Sequence, residues 1–192
     1  MALNKGYLTA KTDKASDEVY TPAYAIEPLI KYLHLFEDKV NGWKVMCETR
    51  SITIWCPFDM PNSEYVKVFR RAGFNVISSH IDEGKNFFFY EPEEHYDIII
   101  SNPPFSQKDN VLKRLYELNK PYAMLLPIPA LQGQARFPYI KDDLQYLGFD
   151  KRINYYTNQD MSEVQKGVSF GSCYLCKHFL PRDLIIEELK IK

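Results

Sequence analysis

Apolar positions along the chain alternate between a helical and a strand period. Downstream of Thr21-Pro22, residues Ala25, Ile26, Leu29, Ile30 and Leu33 recur at three and four positions, the stripe of a helix with one buried face. Thr21 is the expected N-cap, with Pro22 in the first turn. After a loop through Asn41-Gly42, the run Ile52-Thr53-Ile54-Trp55-Cys56 is short, rich in β-formers and stopped by Pro57, which predicts a first central strand. Asn62 or Ser63 is placed to cap a helix over 64–72 that Gly73 closes, and Phe74-Asn75-Val76-Ile77-Ser78 follows as a second strand. Residues 96–101 form a continuous apolar run of strand length, as expected for a strand covered on both faces. Val111, Leu112, Leu115 and Leu118 give 108–118 a helical face, and 122–126 is another buried strand ending at Pro127. Residues 140–147 fit a helix closed by Gly148. Residues 169–179 fit a strand in a final hairpin, with 152–156 as its partner.

Strands alternating with helices predict an α/β fold, with a largely parallel sheet and crossovers on both faces. The chain of 192 residues, 45% hydrophobic, is long enough for one good core and too short for two full-sized domains. A single domain over 19–192 is expected. The polar stretch 1–18 lacks any hydrophobic period and is expected to be a flexible arm.

In such sheets ligands bind beyond the carboxyl ends of the strands. Three of these ends are chemically unusual: 55–59, 79–82 and 101–105. The last holds Asn102-Pro103-Pro104-Phe105, directly after the most hydrophobic strand and before a helix. The residue types suit work on a planar amino group. The Asn102 side-chain oxygen and the Pro103 carbonyl can accept both amino hydrogens, and the two prolines hold those acceptors rigid before reaction. Phe105 offers a face on which an extruded base can stack.

With this motif the chain resembles the S-adenosylmethionine-dependent adenine-N-6 nucleic-acid methyltransferases that carry Asn-Pro-Pro-Phe/Tyr, in particular small phage and prophage members. The resemblance runs from about Val19 to Leu180. It implies a Rossmann-like class I methyltransferase fold with a C-terminal antiparallel hairpin, S-adenosylmethionine as cofactor, and methylation of adenine in DNA more than RNA. Residue by residue it implies that Asn102, Pro103, Pro104 and Phe105 are catalytic. Tyr20-Thr21-Pro22 resembles the family's N-terminal cofactor-contacting element, and Pro57, Phe58 and Asp59 stand where a glycine-rich cofactor loop normally lies. Asp82 matches the acidic residue that accepts hydrogen bonds from the cofactor's ribose, and Asn86-Phe87 falls where an Asp-Phe pair frames its adenine. The chain departs from the pattern twice. No glycine occurs between Ile52 and Gly73, and Asn86 replaces the aspartate. S-adenosylmethionine has no pyrophosphate, so a nest of backbone amides matters less than in a dinucleotide site.

Charge adds little to the whole and something to the parts. With 24 basic and 25 acidic residues the chain is no polycation made to coat nucleic acid. Residues 82–97 hold six acids against one lysine, whereas 108–152 hold eight basic residues against five acids. Lys108 and Arg136 in this second half are the candidate phosphate contacts. Cys173-x-x-Cys176 with His178 has half the spacing of a zinc knuckle, but residues three apart in a strand point to opposite faces, so no metal is expected. No run is long enough to span a bilayer and no signal peptide is evident, which predicts a cytoplasmic protein with reduced thiols. Two other functions share the sequence features. One is a catalytically retired methyltransferase fold that grips a host protein or nucleic acid, which the glycine-free loop favours. The other is a methyltransferase acting on a protein amide, which also needs a planar nitrogen held by two acceptors.

Overall fold

The structure is a computed structural model that describes residues 19–42, 50–158, 160–164 and 170–191. The stretch 1–18, expected as an arm, and Cys47 lie outside the described residues. Two helices, α1 (Ala23–Ile26) and α2 (Pro28–Gly42), precede the sheet. They are followed by β1 (Thr53–Cys56), α3 (Glu64–Arg71), β2 (Asn75–Ser78), β3 (Ile98–Ser101), α4 (Lys108–Leu118) and β4 (Tyr122–Pro127). A short helix α5 (Phe137–Ile140) leads to β5 (Gln145–Phe149), β6 (Ser172–Lys177) and β7 (Leu184–Glu187).

The strands form one seven-stranded sheet in the order β2-β1-β3-β4-β6-β5-β7. β6 alone runs against the others, pairing antiparallel with β4 on one side and β5 on the other. This is a Rossmann-like α/β arrangement: a mostly parallel sheet with antiparallel pairing near its C-terminal end. The chain moves from β1 outward to β2, then returns to place β3 on the other side of β1. That reversal is the topological switch point. It also sends α3 and α4 to opposite faces, because parallel crossovers keep one hand.

The period of two along each strand divides the core into two halves. Ile54, Cys56, Ile98, Ile100, Ala123, Leu125, Tyr174 and Cys176 pack with α1, α2 and α3. Trp55, Ile99, Tyr122, Met124, Leu126, Cys173 and Leu175 pack with Val111, Leu112 and Leu115 of α4 and Ile140 of α5. Cys173 and Cys176 therefore lie in different cores on opposite sides of the sheet, and a shared metal between them is geometrically barred. Burial holds the Cys176 thiol well above its usual range and pushes Cys173 up to about 12.

Four expectations are corrected. The first helix is two, because Pro28 cannot donate a backbone hydrogen bond and starts a new helix after Glu27. Pro22, not Thr21, occupies the cap position of α1, and no side chain caps it. The helix expected over 140–147 shrinks to α5, while 145–149 is strand β5, held between β6 and β7. Gly148 belongs to that strand, and the Tyr146 ring folds over it where a side chain would stand. An added Cβ would lie 2.5 Å from the ring. The strand over 172–177 takes β5 as its partner, not 152–156. Of that segment, Tyr156 bridges to Tyr20 and Val164 outside the named strands.

Ser63 does cap α3, its hydroxyl accepting from the Val66 amide at 3.4 Å, and Gly73 ends it at φ 92°. At the opposite end of the sheet from the switch-point loops, Asp97 accepts from the Thr53 amide at 2.8 Å and pairs with Arg50 at 2.6 Å. Among the described residues no helix is long and apolar enough to cross a membrane.

Candidate active site at the switch point

Loops leaving β1, β2 and β3 enclose a cavity of about 660 Å³ at the switch point, inside the usual range of small-molecule sites. Its walls include Thr21, Pro57, Phe58, Asp59, Asp82, Asn86, Phe87, Asn102, Pro103 and Pro104. All seven expected cofactor residues and three of the four expected catalytic ones are thus brought together from segments far apart in sequence.

The loop after β1 reaches this position without glycine. The Asp59 amide donates to the Ser79 carbonyl at 3.2 Å, and the Phe58 ring lies 4.9 Å from that of Phe87. Among the described residues, positive φ at a non-glycine occurs only at Asn119, Met161 and His178, so the loop uses conformations open to any residue. Phe87 is buried against Trp55 and Phe88 as part of the aromatic floor. Trp55 is locked beneath it by a hydrogen bond from its indole N–H to the Ser79 hydroxyl at 2.9 Å.

Asp59 is the buried charge of the site. Its carboxylate accepts a hydrogen bond from the Ser101 hydroxyl, which ties the β1 loop to the residue before Asn102. Burial raises its pKa from 3.8 to about 6, against the opposing pull of bonds from Ser101 and Ser63 and the proximity of His80. Asp82 sits in a one-turn helix after β2 with its side chain 74% exposed, and His80 accepts from its amide at 3.2 Å. The oxygen of Asn86 is already engaged, accepting from the Phe88 amide at 3.0 Å in a turn of its own.

Asn102 is held from the N-terminal side. Its Nδ2 donates to Thr21 Oγ1 at 3.1 Å and to the Val19 carbonyl at 3.5 Å, while its Oδ1 is buried and has no hydrogen-bond partner among the described residues. Buried polar atoms are nearly always paired, and an unpaired one costs about 1–3 kcal/mol. The Val19–Thr21 strap is itself fixed by two backbone bonds between Tyr20 and Tyr156, at 2.9 and 3.1 Å.

Phe105 lies outside the cavity walls. Its ring packs edge-on against Tyr155 and Phe170, at 6.1 and 5.7 Å, and touches both halves of the core. Arg136 is also placed differently from a phosphate contact. It is only 8% exposed, donates to the carbonyls of Ala130 and Gln132, and pairs with Asp109 of α4. Its guanidinium clamps the loop after β4 onto α4. Lys108 opens α4 next to Gln107, which lines the cavity.

Several wall residues were not singled out from the sequence, among them Val19, Glu64, Phe88 and Met161. Val19 acts through its backbone carbonyl, so no side-chain pattern could have flagged it.

No family model and no curated protein matches the chain. Among solved structures, it resembles one described as "a putative methyltransferase from Thermoplasma acidophilum", with 8% identity, 78% of this chain and 77% of that chain covered, and a TM-score of 0.40. A likeness of this size supports no inference about function.

Proposed function

We propose that the protein is an S-adenosylmethionine-dependent methyltransferase that acts on the exocyclic amino group of adenine in nucleic acid, DNA more than RNA. The observation that carries this reading is the buried, unpartnered Asn102 Oδ1 at the end of β3, on the wall of the switch-point cavity. An amide whose NH2 end is already bonded and whose oxygen is left without a donor is a site waiting for an N–H group. An amino group supplies one. The oxygen of Asn102, with the adjacent Pro103 carbonyl, would accept the two amino hydrogens and turn the nitrogen lone pair toward the methyl donor. Preorganised acceptors of this kind need no rearrangement during reaction.

The side chains present fit S-adenosylmethionine. When bound, it supplies an electrophilic methyl group on a sulfonium. Among the described residues, the cavity wall has no lysine or arginine and three carboxylates, Asp59, Glu64 and Asp82. That balance disfavours a pyrophosphate and suits a ligand whose reacting group is a cation. Asp82, with its exposed carboxylate, would hold the ribose hydroxyls, and Phe58 and Phe88 would flank the adenine. Thr21, Pro57, Asp59, Asn86 and Phe87 complete the wall. Asn86 offers its NH2 group, because its oxygen is used by the turn. Lys108 is the phosphate contact that the reading retains.

Titration calorimetry with S-adenosylmethionine tests the cofactor half. The wild type should release or absorb heat with one-to-one stoichiometry, and Asp82→Ala should bind about 10- to 100-fold more weakly, as expected for losing hydrogen bonds worth about 1.5–3 kcal/mol. Equal affinity in a folded Asp82→Ala protein would remove Asp82 from the cofactor site, and no heat in the wild type would remove the cofactor.

A further inference from the structure

The geometry points to Thr21 as a positioning residue that sets the polarity of the Asn102 amide, a role that rests on the reading of Asn102 as acceptor for the target amine. A carboxamide presents a donor at one end and an acceptor at the other, with nearly the same shape. Which end faces a target decides whether an amino group is held or repelled. At Asn102 the choice is made by the strap. The Val19 carbonyl can only accept, so the amide end facing it must be the NH2 group, and Thr21 Oγ1 takes the closer bond at 3.1 Å. Both acceptors come from one short segment whose backbone is fixed to Tyr156.

Thr21 is spared the task that its sequence position suggests. It stands before Pro22, which itself occupies the cap position of α1, so the Thr21 hydroxyl is not called on to cap the helix. Its hydroxyl oxygen, in a side chain only 5% exposed, is turned to Asn102 instead. The unpaired Asn102 Oδ1 is a cost of this arrangement. That cost is explained if the arrangement serves to keep that oxygen as an acceptor.

Thr21→Val removes the acceptor and keeps the branched shape, while Thr21→Ser keeps the acceptor. The direct readout is the side-chain amide signal of Asn102 in the nitrogen–proton NMR spectrum, assigned by its loss in Asn102→Ala. In Thr21→Val the two NH2 protons should shift and exchange faster with solvent, and in Thr21→Ser they should stay near their wild-type positions. This readout needs no turnover, so it stands even if methyl transfer is absent and the proposed function fails. In a methyl-transfer assay at saturating S-adenosylmethionine, Thr21→Val should lose about 10- to 100-fold in kcat with less than about threefold change in cofactor affinity, and Thr21→Ser should recover to within about threefold. Unchanged Asn102 amide signals in folded Thr21→Val would overturn the proposal. So would a loss confined to cofactor affinity, which would make Thr21 a cofactor contact alone.

Discussion

Replacing Asp59 by asparagine should make the protein more stable at neutral pH and leave it close to wild type at about pH 4.5. The carboxylate is 7% exposed, and burial is the largest influence on it, raising its pKa from 3.8 to about 6. A group whose folded pKa is raised stabilises the fold while protonated. That contribution is fully present below the unfolded value and is lost as pH rises through the folded one. At about 1.4 kcal/mol for each tenfold change, ionising Asp59 in the folded protein costs about 3 kcal/mol in total. Of this, about 1 kcal/mol is already lost at about pH 4.5, where the unfolded chain is mostly ionised, leaving about 2 kcal/mol to be lost by about pH 7.5. Asparagine has no such dependence. It still offers an oxygen to the Ser101 hydroxyl but turns an NH2 group toward Ser63, a change that costs about 1 kcal/mol at any pH. Relative to wild type, Asp59→Asn should therefore gain about 2 kcal/mol between the two pH values. Urea unfolding of both proteins at each pH measures this, and comparing the pair cancels every titration they share. A wild-type-minus-variant difference that is the same at both pH values would refute the burial of a charged Asp59.

Two further outcomes follow from side chains that the sequence made look functional. Arg136→Ala should destabilise the fold by about 1–3 kcal/mol, because it leaves the carbonyl of buried Ala130 without its donor and releases Gln132 and the half-exposed carboxylate of Asp109. A urea midpoint within about 0.5 kcal/mol of wild type would show that the clamp carries no weight and return Arg136 to the phosphate-contact candidates. Phe105→Ala should cost about 1–3 kcal/mol of stability through lost packing on Tyr155 and Phe170. Weaker target binding with no change in melting temperature would instead put its ring against the substrate.

The central strands were legible in the sequence because they are covered on both faces. In β1, β3 and β4 nearly every position is apolar, so no alternation has to be decoded, and prolines mark the ends of β1 and β4. The strand ends that form the site were legible for the same reason. β5 was not. Its five residues mix Gln145, Tyr146 and Gly148 with Leu147 and Phe149, and Gly148 looks like a helix stop unless one knows that the Tyr146 ring covers it. Its strand state comes from pairing with β6 and β7, which lie decades of residues downstream. Arg136 misled because charge in a sequence carries no direction. Its inward turn is fixed by three-dimensional facts, the free carbonyls of the 129–132 turn and an acid on α4. Thr21 misled in a similar way, since its hydroxyl has two candidate partners and the nearer in sequence is not the one it serves.

On this reading Asn102 holds a target amino group for methylation. The most direct test is radiolabelled methyl transfer from S-adenosylmethionine to unmodified double-stranded DNA, single-stranded DNA and RNA, comparing wild type with Asn102→Ala. Wild type should transfer methyl to the adenine amino group, and Asn102→Ala should lose at least about a hundredfold with cofactor binding nearly intact, the usual effect of removing one acceptor aimed at a reacting group. Transfer by both proteins at similar rates would contradict the role of Asn102. No transfer by wild type to any of the three would contradict the activity itself, and would leave the cavity to the retired, partner-gripping form of the fold.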